Sequence, residues 1–514
     1  MSYFLAFSYN LHDSSVSIAD DERVLLVLEA ERYFGTKKMA CTRPQMEELA
    51  AAALRYCRIP AEAIAGVACT AYRNEHLPEG ERDCAWKDEK RVEILGRSFD
   101  ARVINHHLAH AAIVHAFPGV RDVAIDICDG GGDFGDTHKT YRYRDGRIEE
   151  LKNQPIHDAF SSRFYDVMSR HIYRRLMCEG KLMALASLGE PRPEMTEYVR
   201  RHLYDFHHKD PEEMTGILNR DYPVDDYQRS RTAFDLAAAT QRVFEELRLE
   251  SVRALPGDSE HVLLGGGASL NILANTRVKT EIGDGRGVLV PPCCDDTGQS
   301  LGALLSYCHE DLRLPITANM PFLGMSDSIA DSRLSADDVS GELIDFLVDG
   351  GIVFLHRGQS EIGPRALGHR SIIALPDRKN HDLINHVIKG REFYRPLAPI
   401  VPRERVSDWF DWDGESKYML YGARALDRTR LAAEGICHYD GTARIQTVSA
   451  SEDPFLHAVL ERVGEATGTP ILINTSLNPR GLPISSRVAE TRAFLSQVSG
   501  LGVRMFHEGE LQGE

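Results

Sequence analysis

Two histidines four residues apart, His106 and His110 in VINHHLAHAAIVHAF (103–117), have the type and spacing for metal chemistry. On a helix, positions i and i+4 share a face with side chains roughly 6 Å apart. Two imidazoles at that separation can grip one divalent cation, as HExxH helices do. The plainer reading is an ordinary helix that follows an asparagine and carries histidines in its first turns. The metal reading needs carboxylate partners, and two are available. Asp129 follows a predicted strand at 122–128, and Asp296 lies in CCDDTG, just ahead of a helix predicted to begin near residue 298. Aspartates at a helix start are commonly caps. Here they also supply the hard oxygen ligands that a two-histidine site lacks. His106, His110, Asp129 and Asp296 together form a mixed N/O set suited to a first-row divalent metal. All four fall at strand ends or helix starts, where open sheets place their ligands.

A second constellation is cationic. IKGREFYRPLAP carries Lys389, Arg391 and Arg395 within seven residues, and PILINTSLNPRG brings Asn474, Ser476 and Asn478. Cations beside a Ser/Asn loop are what a triphosphate and a second phosphoryl or carboxyl group require. Surface pairing with acidic residues is the alternative. However, these arginines alternate with apolar residues and proline at predicted strand edges, which favours function. A third piece, HVLLGGGASLN (261–271), reads as a buried strand, three glycines and a helix start. There Gly266, Gly267 and Asn271 would bring backbone against a nucleotide, or the glycines simply make a tight turn. Lys181, in CEGKLMALASLGEP, either presents an ammonium to a phosphate or sits on a solvated loop.

The elements that must position these residues follow from periodicity and punctuation. Short β-rich runs at 3–8, 15–19 and 24–29, split by LHDS and DDER, predict a meander. A helix is predicted at 42–56, with a Thr cap and an early proline. A strand at 66–72 and a polar surface excursion at 73–91 come next. The strand at 122–128 runs through DGGGDFGD into a hairpin, and an amphipathic helix spans 234–254. The meander and the second strand–DGGG–strand unit together resemble the actin-like ATPase architecture, where glycine-rich hairpins approach nucleotide phosphates. The polar, Pro/Gly-punctuated stretch 316–337 reads as a link to a second domain. The chain is therefore divided at 1–335 and 336–514.

Bulk properties narrow the classes. The 514 residues suffice for two or three domains, and 43% hydrophobic with 27% charged residues is ordinary globular composition. A formal net charge of −17 without a basic run disfavours nucleic acid. No apolar run reaches membrane-spanning length. The ten cysteines, scattered without a CxxC, suit a reducing compartment, so a cytoplasmic location is expected.

Nine motifs in order then carry a resemblance: SYNLHDSS, NHHLAHA, DGGGD, EGKLMALASLG, LGGGASLN, CCDDTGQSLGA, GQSEIGPRALGHRS, IKGREFYRPLAP and INTSLNPRGLPI. The sequence resembles the O-carbamoyltransferase family of the NodU/CmcH type over nearly its whole length. The resemblance implies a mixed α/β chain, with an actin-like metal-containing domain followed by a YrdC-like domain. It puts the metal, usually iron(II), on His106, His110, Asp129 and Asp296. The YrdC-like KxR…SxN signature falls on Lys389, Arg391, Ser476 and Asn478, with Arg365 and Arg395 as further phosphate or carbamoyl contacts. His12 matches the histidine of the transfer step. The activity implied is formation of carbamoyl-adenylate from carbamoyl phosphate and ATP, with Mg2+ present. The carbamoyl group then passes, near Gly266, Gly267 and Asn271, to a hydroxyl of a small-molecule acceptor, with antibiotic or other natural-product biosynthesis as the setting. A homodimer is the default expectation for assembly. Two rivals are a threonylcarbamoyl-type tRNA-modifying enzyme, which the acidic balance opposes, and a non-catalytic nucleotide-binding scaffold, which the full set of candidate ligands opposes.

Overall fold

The computed structural model describes residues 2–71, 91–133, 136–151, 162–282, 285–327 and 334–513. The run 72–90, which holds nearly all of the expected surface excursion, lies outside them. The meander forms as expected, and it belongs to a five-stranded sheet. In spatial order the strands are Val24–Glu29, Ser15–Ala19, Tyr3–Tyr9, Ile64–Ala71 and Arg102–Val103. A second five-stranded sheet runs Arg147–Glu150, His138–Arg144, Asp122–Cys128, His261–Gly265, Gly287–Leu289. In both, the strand that comes first in the chain lies centrally, antiparallel to the second strand and parallel to the fourth. The outer pairs match too, antiparallel on one side and parallel on the other. The chain builds one topology twice.

The histidine helix, His106–Ala112, lies between these sheets. Ala109 and Ile113 join the core of the first sheet, together with Leu301, Leu304 and Leu305 of the helix Gln299–Ser306. Ala111 and Val114 pack on Val123, Ile125 and Ile127 of the second sheet. The two helices approach at Gly302, where a Cβ would collide with the Ala109 carbonyl, so glycine and alanine permit the crossing.

Six helices between Arg163 and Arg253 form a block with its own core of Phe164, Tyr165, Phe206 and Phe244. Its longest helix, Arg231–Arg253, matches the predicted amphipathic helix. The segment from Ile316 does not hang free as a link. Val24 N–H donates to the Thr317 carbonyl (2.8 Å) and Val27 N–H to the Leu323 carbonyl (2.8 Å), so the segment lines the edge of the first sheet. Beyond it, nine strands make a single sheet. One face, with Val353, Leu355 and Ile373, takes the helices Gly341–Val348 and Pro454–Thr467. The other, with Ile352, Phe354 and Ile372, shares one core with Val262, Leu264 and Val288 of the second five-stranded sheet, as strand alternation dictates. No described helix is long and apolar enough to cross a membrane.

One buried ion pair locks the strand that delivers Asp129. Arg248 and Asp126 are both 0% exposed and paired. Asp126 Oδ1 also accepts from His138 Nε2 (2.6 Å) and Ser251 Oγ (2.9 Å). Burial pushes the Asp126 carboxyl upward, but Arg248 and His138 outweigh it and hold the pKa at about 2. Arg248 also donates to Ser269 Oγ (3.2 Å) in the glycine loop. Arg248→Met would leave Asp126 short of its counter-ion. It is expected to destabilise the fold by about 3–5 kcal/mol, read by urea denaturation.

Candidate functional site

Local sequence explains how each donor is aimed. Asn105 caps the histidine helix, its Oδ1 accepting from the His107 and Leu108 N–H groups at 3.0 and 3.2 Å. Asp133, from the glycine-rich turn, accepts from His106 N–H (2.9 Å) and Asn105 Nδ2 (2.7 Å), fixing the first turn. Asp129 ends the Asp122–Cys128 strand; its Oδ1 accepts from Gly130 N–H (2.5 Å) and its Oδ2 from Gly267 N–H (2.7 Å). Asp296 opens the turn that leads into Gln299–Ser306.

These four residues converge. One ligand atom from each of His106, His110, Asp129 and Asp296 lies within 4.8 Å of the others. His110 Nε2 is 3.3 Å from Asp129 Oδ2 and 3.4 Å from Asp296 Oδ1, and His106 Nε2 is 3.4 Å from the same Asp296 oxygen. All four are buried, and neither ring nitrogen of His106 or His110 has a hydrogen-bond partner by geometry. Burial would depress the His110 pKa, yet Asp129 and Asp296 lift it to about 9. The carboxylates demand positive charge, and the protons held on His110 supply part of it. A divalent cation fits that demand and the two-nitrogen, two-oxygen donor set, and its binding would release those protons. His107 is not one of the four converging donors, and burial, reinforced by His106, pushes its pKa down to about 3.

His12 stands beside the cluster, with Nδ1 3.0 Å from Asp13 Oδ2 and 3.6 Å from Asp296 Oδ2. Its side chain is 33% exposed, so it is more open than the four buried donors. Burial alone would lower the His12 pKa, but the hydrogen bond to Asp13 and the charges of Asp296 and Asp13 raise it to about 9. With Nδ1 held by Asp13, Nε2 is the nitrogen left to exchange a proton. Sequence reasoning missed Asp13 and Lys38. Lys38 Nζ lies 2.7 Å from Asp13 Oδ2 and 3.7 Å from Asp295 Oδ2, tying the His12 turn to the Asp295–Asp296 turn. Neither residue carries a spacing signal, because the contact closes across distant segments.

The second constellation also assembles. Lys389 is buried, and its Nζ donates to the Ser476 carbonyl (2.6 Å), the Asn478 carbonyl (3.0 Å) and Asn478 Oδ1 (2.5 Å). Ser476 Oγ donates to Asn478 Oδ1 at 2.6 Å. Arg391 donates to Thr475 Oγ1 at 3.3 Å. Burial, reinforced by Arg395, lowers the Arg391 pKa to about 9. Arg365, Arg391 and Arg395 share this region with Arg444, a strand residue that sequence reasoning passed over. Burial and these neighbouring cations push the Arg444 pKa well down. Among the described residues neither Arg365 nor Arg444 has an ion-pair partner. Half-buried guanidiniums left without counter-ions make an anion basin.

The two basins adjoin. Gly363, from the loop before Arg365, packs on Pro292 and Cys293. Its N–H donates to Glu29 Oε1 (2.7 Å) and its carbonyl accepts from Arg32 Nη2 (2.6 Å). Glu29 and Arg32 are a buried ion pair at 2.6 Å. Glu361 holds the same loop, its Oε1 accepting from the Leu367 (2.7 Å), His369 (2.8 Å) and Arg370 (3.1 Å) N–H groups. Lys37, next to Lys38, lies close enough to Arg391 and Arg395 to feel their charge.

The glycine loop meets the first basin through Gly267. Asn271 caps the helix Ile272–Glu281 and exchanges two hydrogen bonds of 2.9 Å with Gln241, so its amide is engaged. Lys181 lies on the helix Glu179–Ala186 rather than a loop, and its Nζ is 2.7 Å from Glu392 Oε1. At Gly266, φ is 80° and a Cβ would collide with the Cys128 carbonyl; at Gly267 it would meet the Asp129 carboxylate at 3.6 and 3.9 Å, ordinary contact distances. Gly266→Ala is therefore expected to cost about 2 kcal/mol or more in stability, while Gly267→Ala folds normally, as thermal melts would report.

Comparison with known proteins agrees with the motif order. The family descriptions "Carbamoyltransferase N-terminus" and "Carbamoyltransferase C-terminus" match residues 89–305 and 344–504. The nodulation protein NolO of Bradyrhizobium diazoefficiens is 30% identical over 436 residues, covering 78% of each chain. Nodulation protein NolNO of Sinorhizobium fredii is 28% identical, covering 96% of this chain and 78% of that one. The 3'-hydroxymethylcephem-O-carbamoyltransferase of Amycolatopsis lactamdurans is 32% identical over 344 residues, covering 62% of this chain and 61% of its own. Among solved structures, the activator of the 2-hydroxyisocaproyl-CoA dehydratase from Clostridium difficile covers 60% of this chain and 96% of its own, at 14% identity and a TM-score of 0.35, too distant to bear on the fold. The match to both family descriptions, and to NolO across most of either chain, makes this protein an enzyme of the carbamoyltransferase family.

Proposed function

We propose that the chain is an ATP-dependent O-carbamoyltransferase that works in two stages in its two adjoining basins. The observation that carries this reading is their opposite character: a buried two-histidine, two-aspartate cluster beside His12, and a group of cations short of counter-ions around Lys389. The twice-built five-stranded sheet supports an actin-like unit over about 1–335, and the nine-stranded sheet with its KxR…SxN residues supports a YrdC-like unit over 336–514.

In the cationic basin, Arg365, Arg391, Arg395 and Arg444 would hold the phosphates of carbamoyl phosphate and Mg2+–ATP. Lys389 holds the Ser476–Asn478 loop in shape. Carbamoyl phosphate gives up its phosphate to water, and the resulting carbamate oxygen attacks the α-phosphorus of ATP, releasing pyrophosphate and leaving carbamoyl-adenylate. The guanidiniums offset the charge that develops on the leaving pyrophosphate.

The adenylate then occupies the first basin, against Gly266 and Gly267. His106, His110, Asp129 and Asp296 would hold a divalent metal, iron(II) by resemblance, which when bound supplies Lewis-acid polarisation. His12 Nε2 takes the proton from the acceptor hydroxyl while Asp13, braced by Lys38, keeps the ring oriented. The hydroxyl oxygen bonds to the carbamoyl carbon and AMP departs. The cephem-directed relative supports a small-molecule alcohol, such as a natural-product intermediate, as acceptor.

The test needs no acceptor. Protein incubated with iron(II), magnesium, ATP and carbamoyl phosphate is expected to release orthophosphate and pyrophosphate in equal amounts and to yield a carbamoyl-adenylate mass. Intact ATP under those conditions would overturn the adenylation stage. His12→Asn is expected to keep pyrophosphate release but to slow transfer to a panel of sugar and cephem alcohols by about 10²-fold or more. Loss of both stages together would remove His12 from its assigned role.

A further inference from the structure

The loop bearing Arg391 and Arg395 has little regular structure of its own. Arg391 N–H donates to the Asn385 carbonyl (2.8 Å), Arg395 N–H to the Glu392 carbonyl (3.1 Å), and Asn385 Nδ2 to the Arg395 carbonyl. Between the two arginines sits Glu392. A carboxylate in that position is a hazard to an anion site, because pairing with Arg395 would cancel charge that the ligand requires.

Glu392 does not make that pair closely. Its Oε2 is 3.9 Å from Arg395 Nη1, whereas its Oε1 is 2.7 Å from Lys181 Nζ. Lys181 reaches across from the helical block, its ammonium 5.9 Å from the Tyr173 ring centroid. Tyr173 in turn places its hydroxyl 3.0 Å from that of Tyr394, which is buried in the block's core. The pair is sheltered, with Glu392 16% and Lys181 28% exposed.

We propose that Lys181 is a positioning residue: by engaging Glu392 it keeps that carboxylate off Arg395, leaving the Arg395 guanidinium to the substrate phosphate. This rests on the reading of the cationic basin as the carbamoyl phosphate and ATP site. Without Lys181, rotation about the Glu392 side-chain torsions brings its carboxylate onto Arg395. Without both, the competitor is gone. A residue that merely braced the fold would behave oppositely, the double variant being at least as impaired as the single.

The experiment is acceptor-free pyrophosphate release against carbamoyl phosphate concentration, with thermal melts alongside. Lys181→Met is expected to raise KM for carbamoyl phosphate about tenfold, with kcat held within about twofold. The double variant Lys181→Met/Glu392→Gln is expected to return KM to within about threefold of the parent, and Lys181→Arg to leave it unchanged. A double variant as poor as Lys181→Met, or a KM unmoved by Lys181→Met, overturns the proposal. Should Lys181→Met not fold, Lys181→Gln takes its place in the same comparison. Arg391→Gln separates the two levels. If it leaves KM untouched, the basin reading fails; if it raises KM while Lys181→Met does not, only the role of Lys181 falls.

Discussion

Two aspartates held side by side with almost no solvent govern the centre of this molecule. Asp129 is 8% exposed and Asp296 6%, and a carboxylate removed from water must find positive charge or donors. The chain answers from several directions. The histidine helix sets two imidazoles against the pair, the glycine loop turns the Gly267 N–H onto Asp129, and His12 closes from the first strand pair. Small residues at Gly302 and Gly266 are what let these segments approach so closely. Each glycine is thus part of the electrostatics, though it carries no charge.

The neighbouring basin has the reverse imbalance. Its cations outnumber the acids near them, and Glu392 lies closer to Lys181 than to Arg395. A negative pocket and a positive pocket that share a wall divide the chemistry cleanly. One offers the donor set of a divalent cation and the other the guanidiniums that suit an anion. Lys37 and Lys38, adjacent in sequence, face the positive and the negative side respectively.

The sequence made the site's chemistry legible where residue type and local signal coincided. The histidine pair announced itself through an i, i+4 spacing behind an Asn cap, and the two aspartates through their places at a strand end and a helix start. Lys389, Arg391, Ser476 and Asn478 were visible as cations and amides interrupting apolar runs. What stayed hidden depends on contacts between remote segments. Asp13 sits inside SYNLHDSS, but its contact with Lys38 is made only by the fold, and Arg444 sits in a strand whose neighbours are chosen by register. Lys181 read as a loop residue because the glycine beside it resembles a helix stop, yet it lies in the first turn of a helix. The pairing of Thr317 and Leu323 with the edge of the first sheet was concealed by the polarity and prolines around them, because it involves backbone rather than side chains. The single nine-stranded sheet was beyond reach for the same reason, since most of its pairings join strands far apart in the chain.

The grip on Gly363 has a mechanical meaning. Glu29 and Arg32, at the edge of the first sheet, hold a backbone amide and carbonyl of a loop of the nine-stranded sheet, and that loop packs against Pro292. Parting the two would leave the Glu29–Arg32 pair intact but unpair the Gly363 N–H and carbonyl from it, so these contacts favour the closed arrangement. The seam is a weld rather than a hinge. The distance between the two basins is thereby set by packed backbone, and not by the reach of any flexible side chain.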